Sequence, residues 1–378
     1  MTAGAALYSW QHDIRQWLVG RQYRLFCASS TCGNVVEPEN VLLVLAGLIG
    51  DSVMSTPVLV AARALWPNAR MTLLGRRHNL ALLEACPHID DFLLAESLPF
   101  SLRGRRQVKR LQHEVSKQKF HAAIILLGDQ FAHLLAKANI PVRVGVRGTS
   151  LEPCLTHTYS ALSPRQWGPN ERLNALRVLG YDVEESLLQL WVNDRARVSA
   201  EAKLSELGMS RGERYVAVHP FGSTARQRWP LTNIEVLGRE LREHGMRLVV
   251  LGGPEFKLLL PTSNRSGLIN TVGKLTIPEL LAVIDRAAAV VSTDSGPFHI
   301  AGALGRPLVG LFRSSRPEHA RRYPQARVIL GRSAGCEGRC RWDYCRSAPC
   351  RQLEAIGVNE VMAMLEQALS SDQPAISV

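Results

Sequence analysis

The chain has 378 residues, 46% of them hydrophobic and 21% charged, the balance of a globular protein long enough for two domains and not of a disordered one. No apolar run reaches the roughly 18 residues that span a bilayer, and the start has no charged tip followed by an apolar core, so the expected location is the cytoplasm. The net charge of +12 suits an acidic partner, but neither a zinc-finger spacing nor an RNA-recognition signature accompanies it and aromatics are only 6%, so nucleic acid is not an expected partner.

Residues 1–37 read as an N-terminal extension with one amphipathic helix carrying Trp10, Ile14, Trp17 and Leu18. From Asn40 onwards, apolar strands alternate with helices. VLLVLAG is a strand, Thr56 to Trp66 a helix, and ARMTLLG, FHAAIILLG and RVGV continue the series. That alternation predicts a parallel α/β sheet. A polar, helix-forming stretch follows, WVNDRARVSAEAKLSELGMSRGE, and places a domain boundary near residue 193. A second series then runs through RYVAVHP, MRLVVLGG, LINTVG, AAVVSTD and PLVGLF to a last helix in GVNEVMAMLEQALS. The expected organisation is an extension at 1–37, one Rossmann-like domain at 38–192, a second at 193–350, and a helix and tail at 351–378. Two such halves predict one ligand site in the cleft between them, at the carboxyl ends of the strands.

Four turns at predicted strand ends carry the polar chemistry. The first puts Gly50 and Asp51 after the opening strand, where the acid is either a general base or a helix cap. It is not a GxGxxG fingerprint, which argues against a nicotinamide cofactor. The second holds Gly222, Ser223 and Thr224 with Arg226 and Arg228 close behind: small residues, hydroxyls and cations that suit phosphate, without the order of a P-loop. The third sets Glu255 beyond a Gly-Gly pair, as a ligand for ribose hydroxyls or as an ordinary helix-start acid. The fourth, Thr293-Asp294-Ser295-Gly296, opens a helix carrying His299 and is either an anion site or a simple N-cap. Together the last three describe a nucleotide-binding half, and an acid from the other half suggests group transfer to a hydroxyl.

Two further clusters stand apart. SLRGRRQVKR concentrates Arg103, Arg105 and Arg106 with Lys109 and Arg110, either a solvated helix face or a patch for an acidic saccharide or an anionic membrane surface. Cys336, Cys340, Cys345 and Cys350 crowd into CEGRCRWDYCRSAPC, without the paired CxxC of a zinc ribbon. The expectation there is a metal-free structural role, with one structural metal held by the four thiols as the alternative.

Three blocks carry a resemblance. IGDSVMSTPVLVAARALWPNARMTLL, VHPFGSTARQRWPLTNIEVLGREL and NTVGKLTIPELLAVIDRAAAVVSTDSGPFHIAGALGRPLVGLF resemble, in order and spacing, those of glycosyltransferase family nine, the ADP-heptose:lipopolysaccharide heptosyltransferases. The likeness covers about residues 40 to 371. It implies a GT-B fold, two Rossmann-like domains facing a central cleft, and an inverting transfer of heptose from an ADP-sugar, itself a substrate, with no cofactor required. Asp51 would be the base. Ser223, Thr224, a basic side chain, Ser295 and Gly296 would receive the diphosphate. His299 would bind phosphate or heptose, with Leu275 on adenine and Glu255 on the nucleoside. The acceptor would be an acidic, lipid-linked saccharide, reached by peripheral contact with the inner membrane. The alternatives are a relative with another donor or a protein acceptor, and a catalytically silent nucleotide-sugar-binding subunit.

Three positions depart from the family pattern. Gln227 stands where Lys is frequent, leaving Arg226 or Arg228 to supply charge. Phe221 replaces the glycine after His-Pro, and no basic residue precedes Gly50-Asp51.

Overall fold

The computed structural model describes residues 37–95, 102–160, 171–222, 224–259, 268–313, 323–334, 336 and 350–370, with only the backbone at 102–105. The helix expected in the N-terminal extension lies outside them. The chain divides into two compact units, residues 1–187 and 188–378.

In the first unit the long apolar runs become strands buried along nearly their whole length, as parallel sheets require. The strands are β1 (Asn40–Leu45), β2 (Arg70–Gly75), β3 (Asp91–Leu94), β4 (Ala122–Leu127), β5 (Val142–Val146) and β6 (His157–Tyr159). They pair in parallel in the order β3-β2-β1-β4-β5-β6, with Val41 opposite both Met71 and Ala122. Between and after them run α1 (Ile49–Val53), α2 (Thr56–Leu65), α3 (Arg77–Leu82), α4 (Leu102–Lys117), α5 (Ala132–Lys137) and α6 (Asn174–Arg177). The strand order reverses between β1 and β4. In such sheets the crevice for a ligand opens at the carboxyl ends of those two strands.

The second unit repeats the plan. Its strands are β7 (Tyr215–His219), β8 (Arg247–Val250), β9 (Leu268–Asn270), β10 (Ala289–Thr293), β11 (Leu308–Arg313) and β12 (Ala326–Gly331). They pair in the order β12-β11-β10-β7-β8-β9, again all parallel, with the reversal between β7 and β10. Its helices are α7 (Asp194–Glu206), α8 (Leu231–Glu243), α9 (Ile277–Arg286), α10 (Gly296–Ala303), α11 (Arg351–Glu354) and α12 (Val358–Ser370). The polar boundary stretch forms α7, started by Asn193, whose side chain accepts from the Ala196 N–H at 2.7 Å. Glu279 of α9 ties that helix in, accepting from Lys203 and from Ser199, each at 2.6 Å. Trp229, fully buried after β7, donates its indole N–H to the Ile356 carbonyl at 3.0 Å and so binds the turn to the C-terminal segment.

Both sheets match the Rossmann-like expectation. Three strands, β3, β6 and β12, had no counterpart in the sequence reading. Each is an edge strand with several half-buried residues, so none shows the continuous apolar run of an inner strand.

Candidate functional site

The opening turn of the first unit is held by its neighbour after β2. The Gly47 carbonyl accepts from Asn79 Nδ2 at 3.0 Å and lies 2.8 Å from His78 Nε2. Asn79, fully buried, also donates to Ser52 Oγ at 2.7 Å. Leu48, in extended conformation, occupies the cap position of α1 without a side-chain cap bond, and Asp51 sits in the first turn. The capping alternative for Asp51 is thereby removed. Its carboxylate instead meets Arg172 Nη2 at 3.3 Å, while Arg172 Nη1 donates to the Asp51 carbonyl at 2.6 Å and to Ser55 Oγ.

Arg172 is buried, and that burial pulls its pKa down, opposed by the charges of Asp51 and Tyr159. The pair therefore fixes Asp51 from below while leaving its carboxylate about one-fifth exposed. Across the reversal point, Asp129 opens the turn after β4, and burial pushes its carboxyl pKa up. Neither Arg172 nor Asp129 carried a signal in the sequence, since each lies outside the recognisable blocks. On α4, Arg106, Lys109 and Arg110 are exposed. The side chains of Arg103 and Arg105 lie outside the described residues.

In the second unit the turns after β7 and β10 are knit together at the reversal point. His219, the last residue of β7, places Nδ1 2.9 Å from Ser295 Oγ. Burial pushes the His219 pKa down to about 3, so the imidazole is neutral. The Thr293 hydroxyl donates to the Phe221 carbonyl. Ser295 stands at the cap position of α10, but its hydroxyl turns to His219 and to the Thr293 carbonyl at 3.1 Å and makes no cap bond. Capping of α10 by Ser295 is therefore not what the chain does.

Two of the departures from the family pattern have local reasons. Phe221 is fully buried and stacks on Phe256 with ring centres 4.3 Å apart and planes 5° from parallel. The flexible position passes to Gly222, where a Cβ would come within 2.3 Å of Gln227 Cβ. Gln227 is buried, and its Oε1 accepts from the Thr224 N–H at 3.2 Å and lies 3.3 Å from the Thr224 hydroxyl. It braces the turn where a lysine would bring charge.

Arg226 is half-buried. The Arg228 guanidinium stands 5.6 Å from the Phe256 ring centre, and its buried Nε has no hydrogen-bond partner among the described residues. Ser223 lies outside the described residues. His299 is buried in the first turn of α10 with Nδ1 2.9 Å from the Tyr323 hydroxyl, and Gly302 leaves room for the Tyr323 ring, which a Cβ there would meet at 2.3 Å.

Asp294, Ser295 and Gly296 are half-buried at the carboxyl end of β10. Glu255 is exposed after β8, and its carboxylate folds back to where a Cβ on Gly253 would sit. Leu275 is half-buried beyond β9. Because every strand here is parallel, these positions share one edge of the sheet. His219 and Tyr323 were missed in the sequence. The first stood in view inside the His-Pro block, while the second had no local signal.

Cys336 is half-buried and Cys350 buried, both as free thiols, whereas Cys340 and Cys345 lie outside the described residues. Among the described residues no helix is long and apolar enough to cross a membrane.

Residues 108–347 match the family described as Glycosyltransferase family 9 (heptosyltransferase). The chain is 24% identical over 314 residues to lipopolysaccharide heptosyltransferase 2 of Salmonella typhimurium, covering 74% of this chain and 84% of that one. Among solved structures it resembles Escherichia coli ADP-heptose lps heptosyltransferase II, with a TM-score of 0.72 at 21% identity over 87% of this chain and 98% of that one. It also resembles the E. coli heptosyltransferase WaaC with ADP-2-deoxy-2-fluoro heptose, with a TM-score of 0.65 at 17% identity, covering 87% and 99%. The fold is thus GT-B, the fold these blocks led one to expect.

Proposed function

Because the chain belongs to glycosyltransferase family 9, we propose that this glycosyltransferase moves a heptose from an ADP-sugar to a hydroxyl of an acidic envelope saccharide such as the lipopolysaccharide inner core. The observation that carries the reading is the turn pair of the second unit. A neutral His219 holds the Ser295 side chain aside, so the start of α10 is not capped by its own serine. A helix start of that kind, beside a glycine-tight turn with Thr224, Arg226 and Arg228, suits a diphosphate.

Asp51 takes the proton of the acceptor hydroxyl as its oxygen attacks the anomeric carbon. The bond to the ADP oxygen breaks, its electron pair leaves with ADP, and the configuration inverts in one displacement. Donors already aimed at the departing charge provide most of the acceleration in such sites. Asp294 and His299 hold the donor, Glu255 and Leu275 the nucleoside. The diphosphate is neutralised by protein groups, so no cofactor is needed. The exposed cations of α4 draw in the acidic acceptor, and contact with an anionic membrane face would be peripheral.

The test is a binding screen of ADP-heptose against other sugar nucleotides, followed by turnover with lipopolysaccharide core fragments and with protein acceptors. ADP-heptose should bind in preference and be consumed with a core fragment. A preference for a different nucleotide, or transfer only to protein, would reject the proposed donor or acceptor respectively.

A further inference from the structure

Among the acids of the first unit, Asp129 has a place that the mechanism above leaves unused. It opens the turn Asp129–Phe131 at the carboxyl end of β4, the strand beside β1 where the strand order reverses. The turns after these two strands are joined directly: the Ala46 N–H, just past β1, donates to the carbonyl of Leu127, the last residue of β4, at 2.9 Å. Gly128 makes the junction tight. Its φ of 108° favours glycine, and a Cβ there would meet Ala46 Cβ at 3.0 Å. Buried Phe131 donates its N–H to the Gly128 carbonyl at 2.9 Å and anchors the far end of the turn. Asp129 therefore stands beside the turn that leads to Asp51, on a backbone held at both ends.

Its side chain is half-buried and makes no hydrogen bond and no ion pair among the described residues. The neighbouring groups that could answer it are committed elsewhere. The Tyr159 phenol, which feels the charges of both Asp129 and Arg172, donates to the Ile125 carbonyl at 3.2 Å, and Arg172 pairs with Asp51. A carboxylate in this state loses hydration without gaining a bond, so it adds nothing to the fold that would offset its desolvation. It is an acceptor-only group at the edge where a ligand crevice opens in such a sheet, and a hydroxyl is the donor that suits it. An acidic group would be repelled there, so the part of an acceptor that reaches Asp129 is neutral and hydroxyl-bearing.

We propose that Asp129 binds the acceptor sugar, its carboxylate accepting hydrogen bonds from hydroxyls next to the one that Asp51 deprotonates. This rests on the glycosyl-transfer reading above and adds a specificity-determining residue to it. The exposed cations of α4 draw in the charge of an acceptor but do not choose among its hydroxyls.

The experiment measures transfer from ADP-heptose to a lipopolysaccharide core fragment by the full chain and by Asp129→Asn and Asp129→Glu, with ADP titration and thermal melting alongside. In the Asn variant KM for the core fragment should rise about tenfold or more, the scale of a lost charge-assisted bond, while kcat falls much less. ADP should bind as before, and melting should occur at or above the wild-type temperature, because an uncompensated charge has been removed. The Glu variant moves the charge outward by one methylene. It should raise KM several-fold, and it carries the test alone if the Asn variant does not fold. A wild-type KM in the folded variants would overturn the assignment. So would equal weakening of ADP and acceptor together with lower melting, the mark of a structural residue. A loss of kcat at unchanged KM would overturn it by giving Asp129 the part of the base. A wild-type chain that transfers nothing to the core fragment would overturn the acceptor reading and this inference with it.

Discussion

Replacing Asp51 separates its proposed role as the base from its structural one. Its carboxylate sits 3.3 Å from the Arg172 guanidinium, a separation at which unit charges attract by about 5 kcal/mol at an effective dielectric constant near 20. Desolvation of the buried arginine offsets most of that attraction. Asp51→Asn retains an oxygen that can accept from Arg172 Nη2, and the bond from Nη1 to the residue 51 carbonyl is unaffected. The Asn variant should therefore melt within a few degrees of wild type and bind ADP-heptose normally.

Its turnover should fall at least about a hundredfold, the scale of a lost general base. Asp51→Ala removes that acceptor and its charge from beside the buried guanidinium, a loss of about 1–3 kcal/mol. For a unit of this size that corresponds to a fall of roughly 2–12 °C in melting temperature. The assays are single-turnover transfer, donor titration and thermal melting on the same preparations. An Asn variant with near-normal turnover refutes Asp51 as the base, and an Ala variant with unchanged melting refutes the account of the Arg172 pair.

Gly222→Ala brings a Cβ to 2.3 Å from Gln227 Cβ, so the turn after β7 must move. It should lose about 1–3 kcal/mol of stability and bind ADP more weakly, and an alanine variant with wild-type melting and titration curves would disprove the close approach. Tyr323→Phe removes the hydroxyl that lies 2.9 Å from His299 Nδ1. Donor affinity should drop about three- to tenfold, reflecting one hydrogen bond of about 1 kcal/mol, and unaltered affinity would mean that the tyrosine does not orient the imidazole.

Glu279 provides a pH test. Burial raises its pKa, but bonds from Lys203, Ser199 and Thr276 outweigh that and hold it at about 2, against an ordinary 4.5. A depressed acid stabilises the fold above its unfolded pKa and loses that contribution as pH falls from about 4.5 towards 2. Denaturant midpoints of wild type and Glu279→Gln should differ at neutral pH and converge in that window; parallel curves would contradict the assignment.

Much of the architecture is legible along the chain because inner parallel strands bury both faces and so appear as unbroken Val, Leu and Ile runs. The same is true of Asp51, Thr224, Asp294 and His299, which lie just after such runs, where a parallel sheet places its ligand-facing turns. The edge strands β3, β6 and β12 were not legible, since partial exposure dilutes their apolar pattern. Nor was the choice between cap and site at the two acidic turns. A cap and an anion site use the same residue types, and only the tertiary structure shows that neither Ser295 nor Asp51 makes a helix-cap bond.

What the chain order conceals most fully is pairing at a distance. Arg172 reaches Asp51 across 121 residues, His219 meets Ser295 across 76, and Tyr323 meets His299 across 24. Strand order and packing bring these groups together, and no pattern among sequence neighbours encodes which buried donor will answer which acceptor. The sequence by itself determined the class of fold and the turns that hold the candidate site residues, because backbone periodicity and turn preference are local. The tertiary structure decided which side chains hold those turns in place, because a buried polar group must find its partner wherever the fold puts one.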